Sequence, residues 1–592
     1  MPRAHSGFDP STSLGAGKLT TSTKMRHYNV MFEPDGKRVS IHAGATLLEA
    51  AGQAGIILDT ICGGKGTCKK CVVNLRRKAS PSGEPDSKAV LACQYTIESD
   101  VTVTIPPASR FFEQKILTEG TGAKVQGRPD VWEKYRDKGE NIFGLAVDIG
   151  TTTVVVKLLN MKDGRCIATE AALNPQTRYG DDVISRIAYA QSDAKLAELR
   201  KAITDCINKL ISRLCEQAHI GAEHIYEVCV VGNTTMNHIF LGFPVAQLGQ
   251  APYRAFSVEA HNRLPDDLKL SINPAGNIYT VENIAGFVGS DITAAALAAG
   301  IDSADEMTLM VDIGTNGEIV LGTANKLYAA SCAAGPALEG ARISCGSRAS
   351  EGAIEAVIAN KNDIDLDVIG APASSCRKTG AGARSICGSG LIDAVAVLLQ
   401  LDIIDKSGRF AEAEKLKGRL PPAILSRITE HDGQRAFVLA ENRRSTSLKP
   451  VKITAKMAVL LTQEDIRQVQ LAKAAIRTGI KLLQKKIRLR VSDVAASAES
   501  LGVGDDDIRH IYLAGAFGNY IRAESALRIG LLPNVPTERI HFIGNAACSG
   551  AQMILLSRRL RTQAGELARK IEYVEIAHER QFADVFAESM AF

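Results

Sequence analysis

The sequence of 592 residues is poor in aromatic side chains, which make up 5% of it and include a single tryptophan. It contains no uninterrupted apolar run near the eighteen or so residues that a membrane-spanning helix needs, so no such helix is expected. Lysine and arginine, 70 in all, barely outnumber the 65 aspartates and glutamates. A net charge of +5 over this length gives no reason to expect nucleic acid or an anionic membrane as a partner.

The sequence also lacks the cysteine usage of a secreted, disulfide-linked protein. Its 13 cysteines are an odd number, no convincing signal peptide precedes them, and outside one cluster they are scattered singly. This distribution is typical of a reducing cytoplasm, where we expect the protein to be located. With 45% hydrophobic and 23% charged residues, the chain has the composition of a globular protein, with length for roughly four domains.

The first 24 residues differ from the rest in being rich in Ser, Thr and Gly, with three basic residues and one acidic residue. A transit peptide shares this bias, but the segment has no clear amphipathic period. We therefore predict that residues 1–24 form a disordered extension. A start of translation at Met25 remains open.

Cysteine is concentrated at one place, where Cys62, Cys68 and Cys71 follow one another closely and Cys93 comes later. Plant-type [2Fe–2S] ferredoxins use C-x4-C-x2-C and a distant fourth cysteine, so this is that pattern with one extra residue in the first interval. The glycines of the loop permit positive φ and direct N–H groups toward the sulfurs. A zinc ribbon, the weaker alternative, needs two C-x2-C pairs and finds only one. The four cysteines thus predict a [2Fe–2S] cluster.

The patterns around these cysteines indicate a small domain over residues 25–106. A hairpin signal with its turn at Asp35-Gly36, a short helix, the cysteine loop and a closing strand at 100–106 follow in order. This order resembles the β-grasp fold of the [2Fe–2S] ferredoxins. Residues 107–141 mix charge, glycine and proline, contain Trp132, and are expected to form a structured linker.

An internal repeat dominates the remainder of the chain. The segments GLAVDIGTTTVVVKLL at 144–159 and TLMVDIGTNGEIVLG at 308–322 share VDIGT in the same apolar frame. Each predicts a strand, a tight turn and a second strand. The glycine of the turn lets the backbone approach a phosphate, and the hydroxyl, amide and N–H groups after it are donors. The aspartates Asp148 and Asp312 would hold a magnesium ion through water.

A second repeated element follows each of these hairpins. The segments 227–242 and 510–524 each predict a buried strand that runs through a glycine-containing turn into a helix. One such turn is weak support for a nucleotide, but two hairpins that are each followed by one are far more specific. The arrangement resembles the superfamily of acetate and sugar kinases, heat-shock chaperones and actin. That resemblance implies two ribonuclease-H-like halves, here residues 142–305 and 306–592, that close over ATP.

The resemblance also implies the residues that bind ATP with Mg²⁺. The first phosphate loop would contain Asp148, Gly150, Thr151 and Thr152. The second phosphate loop would contain Asp312, Gly314, Thr315 and Asn316. The adenosine loop would contain Gly515, Phe517 and Gly518, although GAFG replaces the glycine pair of many members. The whole chain is thus a multidomain α+β and α/β protein.

Other segments support less specific predictions. The polar segment 174–187 is expected to be an exposed loop and helix, with the interdomain cleft or a partner surface as the alternative. The start Gly388-Ser389-Gly390 is equally compatible with an anion-binding helix terminus and with a plain tight turn. The apolar stripe of the helix after Thr462 predicts a core face. Residues 360–385 and 404–450 predict surface insertions.

The combination is more specific than its parts. A ferredoxin-like domain precedes NPQ-x-x-YG-x-DV, GNTTM, DIGTNGE, CGSGLIDA, AKAAI and LAGAFGNY. In this order, from about Tyr28 to the end, the chain resembles the reductive activators of corrinoid-dependent methyltransfer proteins. The resemblance implies ATP-driven transfer of an electron from the [2Fe–2S] cluster to inactive cobalt(II), which regenerates cobalt(I). The implied partners are a corrinoid-binding methyltransferase protein and an external low-potential electron donor, and a homodimer stays open.

Three other functions remain as alternatives. The first is an activator of another low-potential metalloenzyme, such as a radical dehydratase. The second is a small-molecule kinase with a redox-sensing ferredoxin domain, although no carboxylate stands out as the base that a kinase needs. The third is a chaperone-like ATPase that remodels a metalloprotein.

Overall fold

The computed structural model describes residues 27–33, 36–42, 45–54, 56, 58, 71–76, 87–106, 109, 142–371, 382–441, 458–487, 503–515 and 521–592. Several predictions lie outside these residues. They concern the extension at 1–24, almost all of the linker at 107–141, and the site residues Cys62, Cys68, Phe517 and Gly518.

The N-terminal part contains a five-stranded mixed sheet and a helix. Its elements are β1 (His27–Glu33), β2 (Lys37–His42), α1 (Leu47–Gln53), β3 (Val72–Arg76), β4 (Ser87–Leu91) and β5 (Val101–Thr104). The strand order is β2-β1-β5-β3-β4, with β1 antiparallel to β2 and parallel to β5. Alternate residues such as Val30, Val73 and Val103 are fully buried with Leu47 of the helix. The predicted hairpin, helix and closing strand are confirmed, and β4 is an additional strand.

Two larger units follow, which we call the first and second halves. The first half contains β6 (Phe143–Ile149), β7 (Thr153–Asn160), β8 (Cys166–Leu173), α2 (Val183–Tyr189), α3 (Asp193–Ala218), β9 (Ile225–Gly232), α4 (Thr234–Leu241), β10 (His261–Arg263), α5 (Pro265–Leu268), β11 (Asn277–Thr280) and α6 (Ser290–Ala299). The second half contains β12 (Thr308–Ile313), β13 (Gly317–Thr323), β14 (Lys326–Cys332), β15 (Ala353–Ala359), β16 (Ile364–Val368), β17 (Ser385–Ile386), α7 (Gly388–Gln400), α8 (Ala413–Leu416), α9 (Pro422–Leu425), β18 (Ile428–His431), β19 (Gln434–Glu441), β20 (Ala458–Thr462), α10 (Gln463–Lys486), β21 (His510–Ala514), α11 (Ala523–Arg528), β22 (Ile540–Gly544), α12 (Ala546–Leu556), α13 (Arg558–Lys570), β23 (Ile571–Tyr573) and α14 (Phe582–Ser589).

The strand orders show that the two halves repeat one architecture. The first sheet runs β8-β7-β6-β9-β11, with β10 at its edge, and the second runs β14-β13-β12-β21-β22, with β23 at its edge. In each sheet the first three strands form an antiparallel meander, and the next two strands run parallel to the central strand. The VDIGT repeat predicts two similar halves, which this repeated strand order confirms, and the order agrees with the ribonuclease-H-like halves that the resemblance implies.

Capping residues set the ends of the main helices. Thr462 and Asp465 form the predicted capping box at the start of α10, and the predicted stripe, including Ile466, Ile476 and Leu483, is buried. Helix α6 begins at Ser290, with Gly289 as its N-cap, and ends at the left-handed Gly300. Among the described helices, none is both long enough and apolar enough to cross a bilayer.

The insertions of the second half are only partly on the surface. Residues 360–385 and 404–450 lie between β14 and β21, and they contribute β16, β18, β19 and the first residue of β17 to the two small sheets β16-β15-β17 and β18-β19-β20. However, Leu366, Phe410 and Phe437 are buried in the core of the second half. The prediction of surface insertions was wrong for these residues, because alternate residues of β16 and five consecutive residues of β19 are buried.

The two halves share a hydrophobic core where they meet. Helix α12 of the second half packs along α6 of the first half and over β6 and β9, and one cluster unites Ala295 and Ala298 with Ala551 and Ile554. At the crossing, a Cβ on Gly550 would lie 2.0 Å from the carbonyl oxygen of Ala294. The two helix backbones therefore approach more closely than a side chain at this position permits.

We expect Gly550→Ala to lower the free energy of unfolding by about 3 kcal/mol, because the added methyl forces α6 and α12 apart and the gain in helix propensity is smaller, about 1 kcal/mol. Urea unfolding followed by circular dichroism measures the change. Gly504→Ala is the control, since its nearest neighbour would be Asp507 Oδ2 at 3.5 Å. Equal losses in the two variants would contradict the close crossing.

Candidate functional site

The first predicted phosphate loop, residues 150–152, is a tight turn between β6 and β7. The N–H of Gly150 donates to the carbonyl of Thr153 at 3.0 Å. A Cβ on Gly150 would lie 2.6 Å from that same oxygen, so the turn requires glycine. Asn233, the N-cap of α4, donates through Nδ2 to Thr151 Oγ1 at 2.9 Å. This hydrogen bond joins the loop to the turn between β9 and α4, which is the strand–turn–helix element predicted at 227–242.

The segment 174–187 lies directly behind this loop and is only partly exposed, since Arg178 and Asp181 face solvent but the residues next to the loop do not. Asn174 and Arg186 are both 0% exposed. Asn174 donates through Nδ2 to the carbonyl of Gly150 at 2.9 Å and through its N–H to that of Thr152 at 2.8 Å. Arg186 Nη2 donates to the carbonyl of Thr151 at 2.6 Å. The prediction of an exposed loop was wrong because the loop carbonyls satisfy these polar groups inside the protein.

The second predicted phosphate loop, residues 314–316, is held differently. The N–H of Gly314 donates to the carbonyl of Asn316 at 3.0 Å, which closes the turn. Thr315 Oγ1 donates to Glu339 Oε1 at 2.9 Å, and burial raises the pKa of Glu339. This loop therefore has a carboxylate beside it where the first loop has a guanidinium.

Four carboxylates lie near one another where the two halves meet. Asp148 and Asp312 are the last residues but one of β6 and β12. Glu318 is the cross-strand partner of Asp312, and Asp291 is in the first turn of α6. Burial raises the pKa of Asp148 to about 6 and that of Asp312 to about 7. Burial and the charges of Asp148 and Asp312 raise the pKa of Asp291 to about 8. Burial also raises the pKa of Glu318 well above its usual value. The site is thus built to receive positive charge.

A hydrogen bond joins this cluster across the two halves. Asn545 Nδ2 of the second half donates to Asp148 Oδ2 of the first at 2.8 Å, while Asn545 Oδ1 accepts from the N–H of Cys548 at 2.7 Å and caps α12. The amide is therefore oriented by the helix that it caps. The carboxylate of the first loop is positioned by a residue almost 400 positions away.

The described part of the predicted adenosine loop lies beside the second aspartate. Gly515 has a φ of +92°, and a Cβ on it would lie 2.6 Å from Asp312 Oδ1. Its N–H donates to the carbonyl of Gly544 at 3.0 Å. Glycine is required here both for the backbone conformation and for the approach to Asp312.

The glycines at the start of α7 serve packing. A Cβ on Gly390 would lie 2.3 Å from the carbonyl oxygen of Ile354, and Ser389 Oγ donates to the carbonyl of Glu355 at 2.9 Å. The helix start, one of the two predictions for this segment, is therefore confirmed, since these residues begin α7, and the binding of an anion there stays a prediction.

The two described cysteines of the predicted cluster lie side by side. The antiparallel pairing of Val72 with Leu91 brings Cys71 and Cys93 together, and both are buried. Their Sγ atoms are 3.3 Å apart, close to the ~3.8 Å between two thiolates on one tetrahedral metal with bonds of about 2.3 Å. The donor set therefore fits an iron–sulfur cluster. Within the described ranges, no three His, Cys, Asp or Glu side chains converge on a single metal position.

Sequence reasoning missed Asp291, Glu318, Asn545 and Arg186. Glu318 lies inside the repeated hairpin, as DIGTNGE, and was visible as an acid two residues beyond the turn at 314–316. Asp291 and Asn545 lie at the starts of α6 and α12, each close behind a glycine. Both were within segments that the sequence marks as helix starts.

The carboxylates predict a pH dependence of stability. Folding raises the pKa of Asp291 to about 8, so the stabilisation by its bound proton is complete below the unfolded pKa of about 4 and is lost as the pH rises toward 8. We expect the nucleotide-free Asp291→Asn variant to melt about 2–4 °C higher than the wild type near pH 8.5 and to lose most of this advantage near pH 5. Thermal melts over this range test it, with Asp266→Asn as an exposed control. Parallel curves for wild type and Asp291→Asn would contradict the assignment.

Comparison with known proteins places the chain in a family. Residues 143–304 match the model of the RACo middle region, and residues 306–498 and 496–592 match that of the C-terminal domain of RACo, the ASKHA domain. The corrinoid activation enzyme RamQ of Eubacterium limosum is 31% identical over 95% of this chain and 99% of its own. The [Co(II) methylated amine-specific corrinoid protein] reductase of Methanosarcina barkeri is 22% identical over 73% of each chain.

A solved structure agrees with these sequence matches. The reductive activator for corrinoid, iron-sulfur protein has a TM-score of 0.64 to this chain, with 30% identity over 95% of this chain and 98% of its own. The C-terminal part is accordingly a domain of the ASKHA type. The chain belongs to the family of reductive activators of corrinoid proteins.

Proposed function

We propose that the chain returns the inactive cobalt(II) corrinoid of a methyltransferase corrinoid protein to cobalt(I), and that ATP hydrolysis drives the electron transfer. The observation that carries the proposal is the presence, in one chain, of two adjacent buried cysteines and a group of buried carboxylates where the two halves meet, which we call the cleft. The relative from Methanosarcina barkeri is named as a reductase of a cobalt(II) corrinoid protein, which supports the choice of substrate.

The cysteine loop is proposed to hold a [2Fe–2S] cluster through Cys62, Cys68, Cys71 and Cys93. Support comes from the 3.3 Å between the buried sulfurs of Cys71 and Cys93 and from the spacing of all four in the sequence. When bound, such a cluster supplies a one-electron carrier with a potential of about −400 mV. The surrounding mixed sheet supports a ferredoxin-like domain, and the hydrophobic residues beneath Cys71 would keep water from the sulfurs.

The cleft is proposed to bind ATP with Mg²⁺. The two loops would present N–H and hydroxyl donors to the phosphates, and Asp148 and Asp312 would orient the magnesium ion through water. Without a cation, burial raises the pKa values of Asp148, Asp291 and Asp312, and repulsion by Asp148 adds to the rise at Asp291 and Asp312. A magnesium ion would remove this repulsion, so its binding would favour the ionised carboxylates.

An energy source is needed because cobalt(I) lies at a very low potential. For a one-electron transfer, each ~59 mV of shortfall in the donor costs a factor of ten in the equilibrium. ATP can shift a conformational equilibrium only through different affinities for its two states. Because Asn545 and Asp148 connect the halves through the site itself, nucleotide binding and the separation of the halves would be coupled. The external donor, the cytoplasmic location and a homodimer stay predictions.

The test is reduction of a purified cobalt(II) corrinoid protein under anaerobic conditions. The reduced protein is mixed with the corrinoid protein, and the visible spectrum of cobalt is followed with ATP, with a non-hydrolysable analogue and without nucleotide. We expect cobalt(I) to appear only with ATP. Failure with ATP present would reject the function. A phosphorylated small product would favour a kinase, and ATP hydrolysis that the corrinoid protein stimulates without electron transfer would favour a remodelling ATPase.

A further inference from the structure

The three carbonyl groups of the first phosphate loop, residues 150–152, all accept hydrogen bonds from the segment 174–187 behind the loop. Asn174 donates hydrogen bonds to the carbonyls of Gly150 and Thr152, and Arg186 donates one to the carbonyl of Thr151. In a trans peptide, the carbonyl and the following N–H point in opposite directions. The N–H groups of Thr151 and Thr152 therefore point away from Asn174 and Arg186, and neither N–H donates to an acceptor among the described residues.

Arg186 brings an unbalanced charge to the back of the loop. It is completely buried, and its hydrogen-bond acceptors are neutral: the carbonyls of Thr151 and Gly180 and the Gln176 side chain. No carboxylate of the described residues lies within ion-pair distance of it, and Asp181 and Asp182 act on it only from farther away. Its pKa, lowered by burial to about 10, still leaves the group charged at neutral pH. A buried cation with neutral acceptors is costly unless an anion is near.

We propose that Arg186 is a positioning residue for the terminal phosphates of a nucleoside triphosphate, acting through the Thr151–Thr152 peptide. A cation bonded to the carbonyl of a peptide polarises it and strengthens its N–H as a donor. The proposal rests on ATP being the ligand of the cleft, as proposed above. The proposal also implies that the two loops differ in charge. Arg186 lies beside the first loop, whereas Thr315 of the second loop donates to the carboxylate of Glu339. The phosphate charge would thus be balanced mainly from the first half.

The variants Arg186→Gln and Arg186→Lys test the role, with Arg178→Gln as the matched control. Arg178 lies in the same segment but is exposed, and its guanidinium stacks 4.6 Å from the ring of Tyr179. The dissociation constants of ATP and of adenosine are measured by calorimetry for each, together with kcat, KM and the melting temperature. The ratio of the two dissociation constants isolates the phosphate interaction from any general loss of structure.

We expect Arg186→Gln to weaken ATP binding about 10–100-fold, the range for a hydrogen bond to a charged group, and to change adenosine binding little. Arg186→Lys should recover part of the loss, since the charge remains but the planar fork does not. Equal weakening of ATP and adenosine, or no change relative to Arg178→Gln, would overturn the inference. If Arg186→Gln does not fold, the ratio of the ATP and adenosine dissociation constants in Arg186→Lys tests the inference in its place. If the wild type itself fails to bind ATP, the proposed function falls, which separates the two failures.

Discussion

Replacing Asp312 by asparagine should lower ATP turnover by about 10²–10⁴-fold, in the range of losses for a group that acts on charge or protons in the reaction. Asparagine keeps the size of the side chain but removes the negative charge that would orient the hydrated magnesium ion. Asp312 is the last residue but one of the central strand of the second half, and Gly515 and Ile313 surround it closely, so the isosteric change should leave the fold intact.

Two readouts make this test specific. Phosphate release measures ATP turnover. The visible absorbance of the iron–sulfur cluster proposed at the cysteine loop reports on the distant redox site, where no change is expected. Asp305→Asn, an exposed acid in the loop before β12, is the control and should turn over ATP at the wild-type rate. Normal hydrolysis by Asp312→Asn would reject the assignment of the second phosphate loop.

The second large effect is expected at the other end of the chain. Cys93→Ser should abolish the visible absorbance of the cluster and with it the reduction of cobalt, while ATP hydrolysis stays within about twofold of the wild type. A serine hydroxyl is a harder and far less acidic ligand than a thiolate, so it does not replace the sulfur in binding iron. The change is nearly isosteric at a buried position, which limits the disturbance of β3 and β4.

Cys166→Ser provides the comparison, since Cys166 lies at the start of β8, outside the cysteine loop. Its iron content and absorbance should equal those of the wild type. An unaltered spectrum in Cys93→Ser would remove Cys93 from the ligand set. Loss of both the absorbance and ATP hydrolysis would show that the two functions are not separable as proposed.

The features that could be predicted from the sequence are those written in short stretches of chain. VDIGT predicts strand, turn and strand because the buried residues, the acid and the glycine are neighbours in sequence. The capping box at Thr462 and Asp465 is equally local. Because these patterns occur twice, their repetition predicted two similar halves before any long-range contact was known.

What escaped prediction depends on residues that are distant in sequence. The bond between Asn545 and Asp148 requires the packing of α12 over the first sheet, which no local pattern encodes. The segment at Asn174 and Arg186 was polar enough to suggest solvent, because its acceptors are loop carbonyls whose position is known only from the fold. The contact of the Cys71 and Cys93 sulfurs likewise follows from strand pairing.

The crossing of α6 and α12 at Gly550 and Ala294 has a mechanical consequence. No side chain separates the two helix backbones at this point, while side chains of both helices pack together on either side of it. A displacement of one helix therefore acts directly on the backbone of the other and is not absorbed by a change of side-chain rotamer. A rearrangement at the phosphate loops that shifts either helix would in this way move α6 and α12 together.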